Sequence, residues 1–96
     1  YEESSYLRFY DFVGIVQEYD SQSGWAAVEQ RNNFKVGDEL EFSGPGTPTF
    51  SQRLEIMTDE EGNRLEAAPH PRQLVYIKVD KEVKPWDLIR RARHGK

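Results

Sequence analysis

The chain has 96 residues and a formal net charge of −4, a length that buries a single modest core and so makes one domain. It begins at Tyr1 rather than Met, which reads as a domain cut from a longer protein. The absence of cysteine excludes disulfides, Cys-ligated zinc and iron–sulfur ligation within the chain, and is compatible with a cytoplasmic location.

Residues 1–5 are polar and read as a loose N-terminal segment, followed by a small β-barrel over 6–84 and a short helix with a basic tail over 85–96. From Tyr6 to Tyr19, Leu7, Phe9, Phe12, Val13, Ile15 and Val16 make a β-rich run. Its alternation breaks at Gly14, where a bulge or a bend is expected. Asp20-Ser21-Gln22-Ser23-Gly24 has turn composition, and Trp25 to Glu29 completes a first hairpin. Val28 to Phe42 reads as strand, tight turn and strand. Gly37 makes the turn, and Leu40 and Phe42 alternate with Glu39 and Glu41.

Gly44-Pro45-Gly46-Thr47-Pro48 reads as a loop, closed to helices and central strands by its prolines. Beyond it, Phe50, Gln52, Leu54 and Ile56 alternate with Ser51, Arg53 and Glu55, the pattern of a strand. Thr58 to Asn63 turns the chain, with Leu65 to Ala68 as a short return, and Pro69-His70-Pro71 stops it. Gln73 to Val79 reads as the final strand, with Val75, Ile77 and Val79 on one face. Pro85 suits a first helical position, Asp87 the first turn, and Arg90, Arg91 and Arg93 the last turn. Trp86 and Ile89 then form an apolar stripe facing a barrel mouth. The expected fold is all-β, a barrel of about six strands with one C-terminal helix.

Few groupings carry chemistry. His70 and His94 have no second His or Cys at ligand spacing. The serines cluster in turns, and no nucleophile elbow precedes or follows them. Asp59-Glu60-Glu61-Gly62-Asn63 is acidic but lacks the spacing of an EF-hand, and reads as a solvated hairpin tip. Charge is the stronger lead. Through Glu66, five Lys/Arg face fourteen acids, a net of −9, whereas from Ala67 onward eight face three, a net of +5. Such a split marks either a face for an acidic partner or two ends that attract each other across the fold. Small barrels that bind RNA pair a basic groove with aromatics on which bases stack. Phe34 and Trp86 fit that role or a place in the core.

Five blocks in order resemble the C-terminal domain of peptidase family U32, the collagenase-like proteases. They are Phe12-Val13-Gly14-Ile15-Val16, Val28 to Phe34, Gly37-Asp38-Glu39, Phe42-Ser43-Gly44-Pro45-Gly46 and Val79 to Pro85. The resemblance runs from about Tyr6 to Arg91. It implies a small β-barrel similar to the second domain of elongation factor Tu, appended to a larger catalytic domain. Although named as peptidases, several members are better described as RNA-modifying enzymes, including prephenate-dependent hydroxylases of the tRNA wobble uridine. The iron–sulfur cluster implied for them belongs to the catalytic domain. With no cysteine here, neither a cofactor nor a catalytic residue carries over to this chain.

The resulting expectation is a non-catalytic accessory barrel that positions a substrate, tRNA being one candidate, or a partner for its own catalytic domain. Arg31, Lys35, Lys78, Lys84, Arg90 and Arg91 are the candidate RNA or partner contacts, with Tyr76 as a stacking residue. A protein-docking module is the alternative, and a self-contained peptidase the third reading. Every apolar run is strand-length, so no membrane partner is expected.

Overall fold

The computed structural model describes residues 8–68 and 70–94, and every regular element in it is a strand. In chain order these are β1 (Arg8–Asp20), β2 (Trp25–Gln30), β3 (Glu39–Gly44), β4 (Thr47–Arg53), β5 (Met57–Thr58), β6 (Leu74–Lys78) and β7 (Leu88–His94). They form one antiparallel sheet in the order β4-β3-β7-β1-β2-β6-β5. Strands β4 and β5 lie at opposite edges, yet only Leu54, Glu55 and Ile56 separate them in the chain. The sheet therefore has to curl until its edges approach. Its ladder does not close, and the Gln52 side chain spans the seam instead. The Gln52 amide donates to the Lys78 carbonyl at 2.9 Å and accepts from the Asp80 N–H at 2.7 Å.

The curled sheet encloses one core. Alternation on β6 buries Val75 and Ile77, with Val79 following, and alternation on β3 buries Leu40 and Phe42. Phe42 stacks on Phe50 with ring centroids 5.0 Å apart, and Val13, Val16, Val28, Phe34, Leu54 and Ile89 fill the space between. Each such side chain contributes about 1.5–3 kcal/mol by leaving water. The bulge expected at Gly14 is present, since the β1–β7 register shifts between Phe12 and Gly14. A Cβ at Gly14 would sit 2.9 Å from Val28 Cγ1, so the close strand approach there requires glycine.

The turn at Asp20 is closed by its own side chain, which accepts from the Gln22 N–H and the Ser23 hydroxyl, each at 3.0 Å. Those bonds, the Gln22 one foremost, hold the Asp20 carboxyl below the usual carboxylate range. Gly37 has φ 102°, and Lys35 and Asp38 close its turn through the Lys35 N–H to Asp38 Oδ2 bond at 2.9 Å.

Three expectations are corrected. The C-terminal segment is no helix: β7 is a central strand, paired with β1 on one side and β3 on the other. Without it, the facing edges of both neighbours would carry unpaired N–H and C=O groups, a cost that outweighs the local helical spacing of two apolar residues. The all-β expectation of about six strands holds, with β7 as the seventh. The stretch Val28 to Phe42 is not a hairpin, because β7 and β1 separate β3 from β2. The Gly44–Pro48 segment is a two-residue turn at Pro45-Gly46, and it leads straight into β4. Pro48 is tolerated because β4 is an edge strand, where a missing N–H leaves no ladder partner unpaired.

The Leu65–Ala68 return is made of single bridges and backbone bonds rather than a strand. Arg64 bridges Thr58, Ala67 bridges Lys35, and the Ala68 N–H donates to the Phe34 carbonyl at 2.8 Å. The expectation for residues 1–5 falls outside the described residues.

Candidate functional site

The chain enters β7 through a tight turn, Lys84-Pro85-Trp86-Asp87, built around one buried carboxylate. Asp87 is buried, yet it is the polar hub of the region. Its Oδ2 accepts from the Thr47 hydroxyl at 2.6 Å and from the Lys84 N–H at 2.9 Å. Gly44 gives the carboxylate room, because a Cβ there would lie 1.9 Å from Asp87 Oδ1. Backbone bonds fasten the same turn to β1: Trp86 N–H to Val16 O at 2.8 Å, and Val16 N–H to Asp87 O at 2.9 Å. Trp86 is thereby held at φ 77°, a conformation that costs a bulky residue about 1–3 kcal/mol and persists only where its surroundings impose it. The residue is 73% exposed. It is therefore neither core nor a partner of buried Ile89 in an apolar stripe.

From Leu88, the outward side chains of β7 and β1 make a mixed apolar and cationic face. Leu88 and Phe12 are exposed, and Phe12 lies opposite Arg90 in the ladder. The Arg90 guanidinium stacks over the Tyr10 ring at 4.0 Å, and Arg31 lies over Phe12 at 5.8 Å. Arg90 is also ion-paired with Glu41. Arg91 points to the other face. There it pairs with Asp11 at 2.7 Å and donates to the Asn33 carbonyl at 2.6 Å, with Asp38 at 3.9 Å.

The seven sequence candidates thus fall into separate groups. Arg91 is tied to the 31–38 segment that carries Lys35, and Arg31 shares Phe12 with Arg90, so these four gather at one end of the sheet. Lys78 and Lys84 lie toward the other end. Their ammonium groups rest on carbonyls, Lys78 on Ser23 at 2.6 Å and Lys84 on Gly46 at 3.4 Å. Tyr76 borders a hollow of about 360 Å³ together with Gln17, Glu18, Ala27, Glu29, Arg72 and Leu74. Two carboxylates beside it weaken any phosphate contact there. Sequence reasoning missed Asp87, Phe12, Tyr10 and Leu88 as site residues. Only the exposed position of Phe12 opposite an arginine marks them, and that depends on register.

The remaining polar groupings do structural work. Asp59 accepts from the Glu61 and Asn63 N–H groups, both at 2.9 Å. These bonds, that of Asn63 foremost, hold its carboxyl below the usual range and close the hairpin tip. The backbone N–H of exposed His70 donates to Gln73 Oε1 at 3.3 Å. Among the described residues, no group of three or more His, Asp or Glu side chains is placed to hold a metal ion. No helix of the described residues is long and apolar enough to cross a membrane.

Comparison with known proteins gives this arrangement a family. The family model described as Peptidase family U32 C-terminal domain matches residues 8–90. The tRNA hydroxylation protein P1 of Bacillus subtilis is 45% identical over 84 residues, which are 88% of this chain and 20% of that protein. The chain thus spans about a fifth of the length of that curated relative. The C-terminal domain of a Geobacillus thermoleovorans protein named as a U32 peptidase is 46% identical with a TM-score of 0.82. The match covers 83% of this chain and 98% of the crystallised one, so a domain of this kind folds on its own. A second crystal structure of that domain also matches at a TM-score of 0.82, over 84% of this chain and 91% of its own. The chain belongs to peptidase family U32, as its C-terminal domain.

Proposed function

We propose that this chain is a non-catalytic accessory domain, and that it holds tRNA against the catalytic part of a longer protein in the cytoplasm. The observation that carries the reading is the 45% identity with a protein named for tRNA hydroxylation, only a fifth of which corresponds to this domain. That name favours RNA over a peptide as the substrate, and oxidation over hydrolysis as the chemistry. The domain's own side chains fit a supporting role. Asp87, the one buried acid among the described residues, is consumed in fastening a turn, where it accepts from the Thr47 hydroxyl and the Lys84 N–H. An iron–sulfur cluster does not fit here, because the sequence has no cysteine to ligate it.

Exposed cations at both ends of the sheet would grip phosphates, with Arg31 and Lys35 at one end and Lys78 and Lys84 at the other. Arg90 and Arg91 add to the first group, but their ion pairs with Glu41 and Asp11 divide their charge between RNA and fold. The test therefore reverses Arg31, Lys35, Lys78 and Lys84 to Glu together in the full-length protein. The expected result is a tRNA affinity weaker by at least about tenfold at near-physiological salt, with the thermal unfolding of the domain little changed. An unchanged affinity would remove these residues from the RNA contact.

A further inference from the structure

We infer that the outward β1–β7 face, centred on Trp86, Leu88 and Phe12, is the surface by which this domain docks on the rest of its own polypeptide. Two observations converge there. Trp86, Leu88 and Phe12 are the three large hydrophobic side chains exposed among the described residues, at 73%, 45% and 37%. All three lie on or at the entry to the adjacent strands β1 and β7, with Leu88 beside Ile15 and Phe12 beside Arg90 in the ladder. Single exposed apolar residues are ordinary, whereas a cluster of them marks an interaction surface.

Composition and rigidity point the same way. Tryptophan and arginine dominate the energetic centres of protein interfaces, and aromatics and Arg are enriched there. Trp86 is presented on a turn pinned by Asp87 and by two backbone bonds to Val16. Docking a side chain already fixed in place costs little ordering entropy. The strain at Trp86 is then the cost of presenting the ring outward.

The occupant follows from length and charge. The matched region is 20% of the Bacillus subtilis relative, so most of such a protein lies outside this domain and is the partner available to cover an exposed face of it. RNA suits this stripe poorly. Leu88 offers no ring for stacking, and Glu41 already holds Arg90, the β7 guanidinium on this face. Lys84 precedes the stripe at one end and Arg31 flanks it at the other. Docking would leave these cations at the rim, beside the seam where bound tRNA meets both parts. The inference rests on the reading of this chain as one domain of a longer protein, and its test is independent of tRNA affinity.

The test is hydroxyl-radical footprinting, read residue by residue by mass spectrometry, on the full-length protein and on the isolated domain, without RNA. The expected result is oxidation of Trp86, Leu88 and Phe12 slowed by at least about fivefold in the full-length protein, as for the water-excluded centre of an interface. Tyr76, two strands away from β1, should react equally in both. Equal rates at Trp86 would overturn the inference. So would protection that appears only when tRNA is added, which would make the stripe an RNA surface. Protection in the isolated domain that grows with its concentration would instead assign the stripe to a second copy of the chain, and would equally overturn it.

Discussion

Replacing Gly44 by alanine should destabilise the domain by about 3 kcal/mol, although the substitution adds one methyl group at a half-exposed position. The new Cβ would lie 1.9 Å from Asp87 Oδ1 and 2.8 Å from its Cγ, distances that no relaxed contact allows. Because Gly44 pairs with Thr47 in the β3–β4 ladder, the backbone cannot simply swing away. The carboxylate has to move, and it gives up the Thr47 hydroxyl and the Lys84 N–H as it does so. Thermal unfolding followed by circular dichroism should show the midpoint falling by about 12–24 °C, at 4–8 °C per kcal/mol for a domain of this size. A shift of only a degree or two would mean that Asp87 is not held where the structure places it.

Replacing Asp87 by alanine should cost about the same, about 3 kcal/mol, for a different reason. The Thr47 hydroxyl then loses its acceptor in a buried site, and the Lys84 N–H loses its own at a part-buried one. Each orphaned group costs about 1–3 kcal/mol. Trp86 keeps its two backbone bonds to Val16 but loses the carboxylate that closes its turn through the Lys84 N–H, which loosens the hold on its φ of 77°. The two substitutions should not add. Once Asp87 is alanine, the atom that Gly44→Ala strikes is gone, so the second change should cost less than about 1 kcal/mol. The double-mutant cycle should then report a coupling of about 2 kcal/mol or more. Additive losses would contradict the hub.

Much of this architecture is legible in the chain itself, and the exceptions have one cause. Gly14 announces its bulge because alternation fails locally there, and Val75, Ile77 and Val79 announce a buried face by period alone. The Gly37 turn is legible for the same reason, since its need for positive φ is a local property. Strand β7 is not. Its sequence, Leu-Ile-Arg-Arg-Ala-Arg-His, has no period-2 pattern, and it is extended because β1 and β3 both need a partner. The identity of that partner is set by residues 49 to 80 positions away, as the Arg90 and Arg91 bonds show.

The site divides along the same line. Lys78, Lys84, Arg90 and Arg91 are identifiable from charge alone, because charge is written in the composition of the last third of the chain, whereas Arg31 and Lys35 stand in its acidic part. Which of them are spoken for depends on Glu41, Asp11 and Asp38, brought near only by folding. Trp86 was read as a stripe with Ile89 because spacing suggested a helix, whereas the turn turns its ring outward. Asp87 was invisible as a hub because its hydroxyl partner, Thr47, lies 40 residues earlier.

The most direct measurement of the central claim is a titration of the isolated domain with labelled tRNA at low and near-physiological salt, with an unstructured RNA as control. If the domain positions tRNA, binding should saturate, prefer tRNA over the control, and weaken steeply with salt. Engagement of Arg31, Lys35, Lys78 and Lys84 should give a slope of log K against log salt of about −3. Absence of binding at both salts, or equal affinity for the two RNAs, would contradict the account.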